Sequence, residues 1–136
     1  MKYPAFFALA ALVVGASASA QSAERVVTIG PNVQWDILET KDGIEGFLDR
    51  ANLRIEGGKV RYVGRLRYLQ PRDDGVAEII HTGEIDCARR TYLIKAFDML
   101  GAEGELVGSF VATQSDEPVP INPGSHNEAL QTRYCP

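Results

Sequence analysis

The sequence predicts an α+β fold: an antiparallel β-sheet of about six strands with a C-terminal α-helix packed on it and tied by one disulfide. Three observations carry this. Two long segments, Lys59–Tyr68 and Ala77–Cys87, alternate apolar and polar residues with a period of two, as half-buried strands do. Gly- and Asp-containing turn signals separate the apolar runs at short intervals. A helix-start pattern, Ser125-His126-Asn127-Glu128, comes just before a near-terminal Cys135. A length of 136 residues supports one domain.

The elements follow in chain order. Lys2, the apolar run Ala5 to Val14 and the small-x-small triplet Ala18-Ser19-Ala20 read as a secretory signal peptide over residues 1–20. The apolar run is about half of what a bilayer span needs, so no membrane span is expected. Residues 21–32 are polar, end in the turn signal Gly30-Pro31-Asn32 and read as a flexible leader. Residues 33–136 form the single domain. Val33–Thr40 reads as a first strand, with Trp35 and Ile37 on one face. Lys41-Asp42-Gly43 is a hairpin turn, because Asp-Gly tolerates positive φ. Ile44–Asp49 is the second strand, Leu53-Arg54-Ile55 a short extended piece, and Gly57-Gly58 a further turn.

The two alternating segments predict a register. If partner numbers sum to 145, Leu66 faces Ile79 and Val60 faces Ile85 on the core side. The same register sets Arg67 opposite Glu78, Arg61 opposite Glu84 and Lys59 opposite Asp86. A slip of one residue would oppose basic and apolar positions. Arg65 falls opposite Ile80, which leaves it free to bind a ligand.

Thr91–Met99 and Leu106–Thr113 read as two further strands whose facing the pattern leaves ambiguous. Ser115 to Gly124 carries three prolines and reads as a loop. In the capping box that follows, the Ser125 hydroxyl takes the Glu128 amide and the Glu128 carboxylate reaches back to Ser125. The helix this starts is too short to be stable alone. Cys87 and Cys135 are the only cysteines, and in an exported chain they suit one intramolecular bridge. Closing a loop of that length stabilises by about 4 kcal/mol in the chain-entropy model. A sheet with its terminal helix stapled to the middle strand leaves no room for a catalytic cleft.

Chemistry-bearing motifs are few. Ser125, His126 and Glu128 sit too close on one helix turn to converge as a relay, and the capping box accounts for Ser125 and Glu128. His81 lies on the core face of its strand, and two histidines in separate elements do not make a metal motif. No catalytic residue, metal site or cofactor is assigned. A net charge of −4 disfavours a nucleic-acid partner. The best physical candidate for binding is the basic face of Lys59, Arg61, Arg65 and Arg67, which suits a protein or an acidic glycan. The opposed carboxylates nearly cancel its field.

Several short motifs bear a resemblance. They are Trp35 near the domain start, Gly46-Phe47-Leu48-Asp49, Glu84-Ile85-Asp86-Cys87, and Pro123-Gly124-Ser125 leading through Glu128 and Leu130 to Cys135. Together they resemble the surface-adhesin protein E family of small exported bacterial proteins. The resemblance implies a non-enzymatic binding protein that attaches to host matrix or serum proteins. It also implies an antiparallel sheet with a C-terminal helix held by one disulfide. No Cys lies near the cleavage site, so the chain is expected in the periplasm or outside the cell without a lipid anchor. The alternative is a periplasmic, envelope-associated structural or interaction domain with no host ligand. A concave apolar pocket with converging polar groups would instead favour a small hydrolase or a ligand carrier.

Overall fold

The hairpin turns fall where the backbone enters the left-handed region. Asp42 and Gly43 have φ of 53° and 75°, and Gly57 and Gly58 have φ of 61° and 72°. Side chains other than Gly, Asn and Asp are strained there, so these residues set the turn positions. The computed structural model describes residues 24–136. Its strands are β1 (Trp35–Lys41), β2 (Ile44–Asp49), β3 (Arg54–Glu56), β4 (Lys59–Tyr68), β5 (Val76–Asp86), β6 (Thr91–Gly101), β7 (Leu106–Val111) and β8 (Val119–Pro120). One helix, α1 (His126–Tyr134), closes the chain.

All strands join one antiparallel sheet in the order β1-β2-β4-β5-β6-β7. The short β3 adds to β4 and β8 adds to β6, which brings the strand count to eight. The register expected for β4 and β5 is observed: Leu66 pairs Ile79, Val60 pairs Ile85, Arg61 pairs Glu84, Lys59 pairs Asp86 and Arg67 pairs Glu78. The segment expected as a proline loop differs in one respect. Val119 and Pro120 lie against Tyr92 and Thr91 as a two-residue strand, an edge position that proline tolerates.

The ambiguous facing of β6 has a definite cause. The register shifts between Thr82 and Gly83, so Gly83 pairs Ile94 but Thr82 pairs Ala96. Lys95 is the extra residue of a β-bulge, and the side-chain alternation changes phase there. Tyr92 and Ile94 before the bulge thus share a face with Phe97 after it.

Each sheet face carries its own core. On the helix side Leu130 packs with Leu48, Val60, Tyr62 and Ile85, ringed by Leu38, Tyr134 and the cystine. Cys87 and Cys135 are bonded, with Cα atoms 5.6 Å apart, which anchors the end of α1 beside β5. On the opposite side Val27 packs with Ile80, Ala96 and Leu100, supported by Ile29 and Trp35. Part of the segment read as a leader is therefore docked on the sheet. Buried Asp98 accepts hydrogen bonds from the amides of Val26 (3.0 Å) and Val27 (2.9 Å) and from Ser109 Oγ (2.6 Å). Burial alone would raise the Asp98 carboxyl, but these hydrogen bonds and the nearby Arg25 hold it below the usual range. The signal-peptide reading of residues 1–20 lies outside the described residues. No helix among the described residues is long and apolar enough to cross a membrane.

At the start of α1, Ser125 Oγ accepts from the Glu128 amide at 3.2 Å, as the capping box requires. The return bond is displaced by one residue: Glu128 Oε1 accepts from the Gly124 amide at 3.1 Å, while the Ser125 amide goes to the Asn122 carbonyl. The chain turns tightly through Gly124, at φ 76°, and its own amide comes within reach of Glu128.

Candidate functional site

Glycines occupy core-face positions on three successive strands: Gly46 on β2, Gly64 on β4 and Gly83 on β5. Interior strand glycines weaken a sheet unless something approaches the backbone closely. Here three side chains do. A Cβ on Gly64 would stand 2.5 Å from His81 Nε2, one on Gly83 2.5 Å from the Tyr62 hydroxyl, and one on Gly46 2.6 Å from His126 Nδ1. Gly64 pairs His81 and Gly83 pairs Tyr62 across adjacent strands, so each large ring lies over the glycine opposite it. The Tyr62 and His81 rings meet edge to face at 5.6 Å.

This trough runs beneath the first turn of α1. The Tyr62 hydroxyl donates to Asn127 Oδ1 at 2.9 Å, and burial, with Tyr92 adding, pushes the phenol above its ordinary pKa. His81 Nδ1 is enclosed without a hydrogen-bond partner. Burial, with His126 adding, pushes the His81 imidazole down to about 4, so it is neutral at physiological pH. His126 Nδ1 stands 2.8 Å from Glu39 Oε1 on β1. Ser125 Oγ donates to the Asn122 carbonyl at 2.7 Å and is thereby tied to its own loop. The sequence placed His81 on the core face but did not bring it toward His126. The sequence reading did not find the trough; the signal available for it is the set of glycines at core-facing strand positions.

The stapled helix does not fill its side of the sheet, which corrects the expectation that no cleft remains. Helix α1 has nine residues, of which only Leu130 is buried. It covers the Leu48–Val60–Ile85 end and leaves the other end open. There a groove of about 400 Å³ is floored by half-buried Ile44, Leu66, Ile79, Ile94 and Phe97, with His81 on its wall. Its rim is polar, built from Lys41 and Asp42 of the β1–β2 turn and from Gly124 to Asn127 at the helix start. Lys41 Nζ donates to the Gly124 carbonyl at 2.7 Å and joins the two sides of the rim.

The opposite face of β4 carries the predicted cations, and each has a carboxylate. Lys59 Nζ and Arg61 Nε both lie 3.0 Å from Glu84. Burial alone would raise the Glu84 carboxyl, but hydrogen bonds from Arg61 and Lys59, with the charges of Lys59 and Lys95, hold it below the usual range. Arg67 goes to Glu45 on β2 at 2.8 Å and not to Glu78. Arg65, expected to be unpaired opposite Ile80, is the most enclosed of the four. Its Nε lies 2.8 Å from Glu78 Oε1, and Nη2 donates to Oε2 at 2.9 Å. Its guanidinium also sits 5.5 Å from the Phe47 ring centre and 5.9 Å from that of Trp35. Long side chains reach diagonally across strands, so the directly opposed residue is not always the partner.

Neither comparison with curated proteins nor comparison with solved structures finds a match. A family model described as surface-adhesin protein E matches residues 35–136, which runs from the first residue of β1 through the bonded Cys135. With the antiparallel sheet, the terminal helix and the cystine all inside the matched span, the chain belongs to the surface-adhesin protein E family.

Proposed function

We propose that the chain is a non-enzymatic, exported binding protein whose partner is another protein of the host matrix or serum. The observation that carries this reading is the family match across nearly all of the described fold. The charged face of Lys59, Arg61, Arg65 and Arg67 is the proposed contact surface. With Glu84, Glu78 and Glu45 paired among those cations, it presents both signs of charge in fixed positions. Such a surface suits a protein of complementary mixed charge better than a polyanion, because net attraction is small and registry supplies the discrimination. The cystine and the two-sided core hold the surface rigid, which lowers the ordering cost of binding.

The test has two arms. The exported full chain is passed over immobilised matrix and serum proteins, and intact cells are probed with antibody against it. Saturable binding that Arg61→Glu weakens, with antibody access on intact cells, is the expected result. Retention of the folded chain behind the outer membrane, with no binding to any host protein, would overturn the reading in favour of a periplasmic envelope domain.

A further inference from the structure

The groove beside α1 is separate from the charged face and is not used by the proposed adhesion. Its polarity is segregated. Five half-buried apolar side chains from β2, β4, β5 and β6 form the floor, His81 and Tyr92 stand on the wall, and the charged groups are confined to the rim. A monomeric protein seldom leaves that much contiguous apolar surface in a concavity unless something occupies it. The rim is electropositive at one point: the exposed ammonium of Lys41 lies against Gly124, directly before the first turn of α1. The leading amides of a helix have no carbonyl to meet within it and favour an anion. Asp42 stands beside Lys41 on the same rim, Glu128 accepts from the Gly124 amide, and Glu39 Oε1 lies 2.8 Å from His126 Nδ1, so the head contact rests on Lys41 and the helix start together. The neutral His81 on the wall adds no charge to the apolar floor.

We propose that this groove binds a single-chain amphiphile with a carboxylate head. The acyl chain lies on Leu66, Ile79, Ile94 and Phe97, and the head sits between Lys41 and the first turn of α1. The volume is in the range of small-molecule sites, which start at about 300 Å³.

The experiment titrates the full exported chain with dodecanoate, dodecan-1-ol and dodecyltrimethylammonium below their micelle concentrations. Calorimetry reads affinity and amide chemical shifts read location. Dodecanoate is expected to bind the most tightly and the cation the least. Shifts should centre on Leu66, Ile79, Ile94 and Phe97. Lys41→Glu should weaken dodecanoate about fivefold and leave dodecan-1-ol unchanged, since only the head contact is lost. Ile94→Ser should weaken dodecanoate and dodecan-1-ol alike. If Ile94→Ser does not fold, the shift map of the unaltered chain decides. Shifts centred elsewhere, equal affinity for the cationic amphiphile, or a dimer that buries the groove and excludes dodecanoate would each overturn the proposal.

Discussion

Replacing Gly64 with Ala tests the glycine trough directly. Gly64 has no positive φ, so the backbone accepts Ala without strain. The obstacle is spatial: the new Cβ would lie 2.5 Å from His81 Nε2 and 2.6 Å from Cε1, closer than real Cβ atoms approach. The His81 ring cannot swing away freely, because the edge-to-face Tyr62 ring closes one side. Forcing a methyl into such a packed site costs about 1–3 kcal/mol. Reduced freedom of the unfolded chain offsets about 0.5–1 kcal/mol of that. The net loss expected for Gly64→Ala is thus up to about 2.5 kcal/mol, or roughly 10 °C in Tm at the upper end for a domain of this size. In a His81→Ala background the three nearest obstacles are gone, and the same substitution should be neutral or slightly stabilising. The coupling between the two sites should therefore be about 1–3 kcal/mol. Equilibrium urea unfolding of the four variants, disulfide intact and m constant, measures it. An equal cost of Gly64→Ala in both backgrounds would show that His81 does not lie over Gly64.

Three further outcomes follow from the same geometry. His81 has a folded-state pKa near 4 against 6.5 when exposed, so the unfolded chain binds the extra proton and stability should fall as pH drops from 6.5 to 4. The loss attributable to His81 is up to about 3 kcal/mol and should largely disappear in His81→Gln, read from the urea midpoint against pH. Glu84 and Asp98, both held below their ordinary values of 4.5 and 3.8, withdraw their stabilisation as pH falls through those values, so they overlap only the acid end of the histidine window. Reduction of Cys87–Cys135 should remove about 4 kcal/mol and lower Tm by roughly 10–20 °C; an unchanged melt after verified reduction would contradict the role given to the staple. Asp98→Ala should cost about 2–4 kcal/mol, since it strands two backbone amides and a hydroxyl. Limited proteolysis should then cut within residues 24–34, and full protection there would refute the docking of Val27.

What was legible in the sequence was local or pairwise. The Asp42-Gly43 and Gly57-Gly58 turns could be read because only a few residue types adopt their backbone. The β4–β5 register could be read because the apolar and charged alternations of both strands agree on one pairing and no neighbouring slip satisfies them. The cysteine pair, the helix start and the family resemblance came from equally short signals. What the tertiary structure alone decided involves three or more elements at once. A single bulge at Lys95 reverses the phase of β6, and no alternation pattern marks an extra residue before its partner strand is known. Arg67 takes Glu45, which β2 sets directly opposite it, and Arg65 reaches diagonally to Glu78; neither choice follows from the β4–β5 pairing alone. The docking of Val27 needs Asp98, some seventy residues away, as its acceptor. The groove exists because a nine-residue helix, tied at one end by Cys135, is shorter than the apolar face it lies on; helix length is written in the chain, but the area it must cover appears only when the strands assemble.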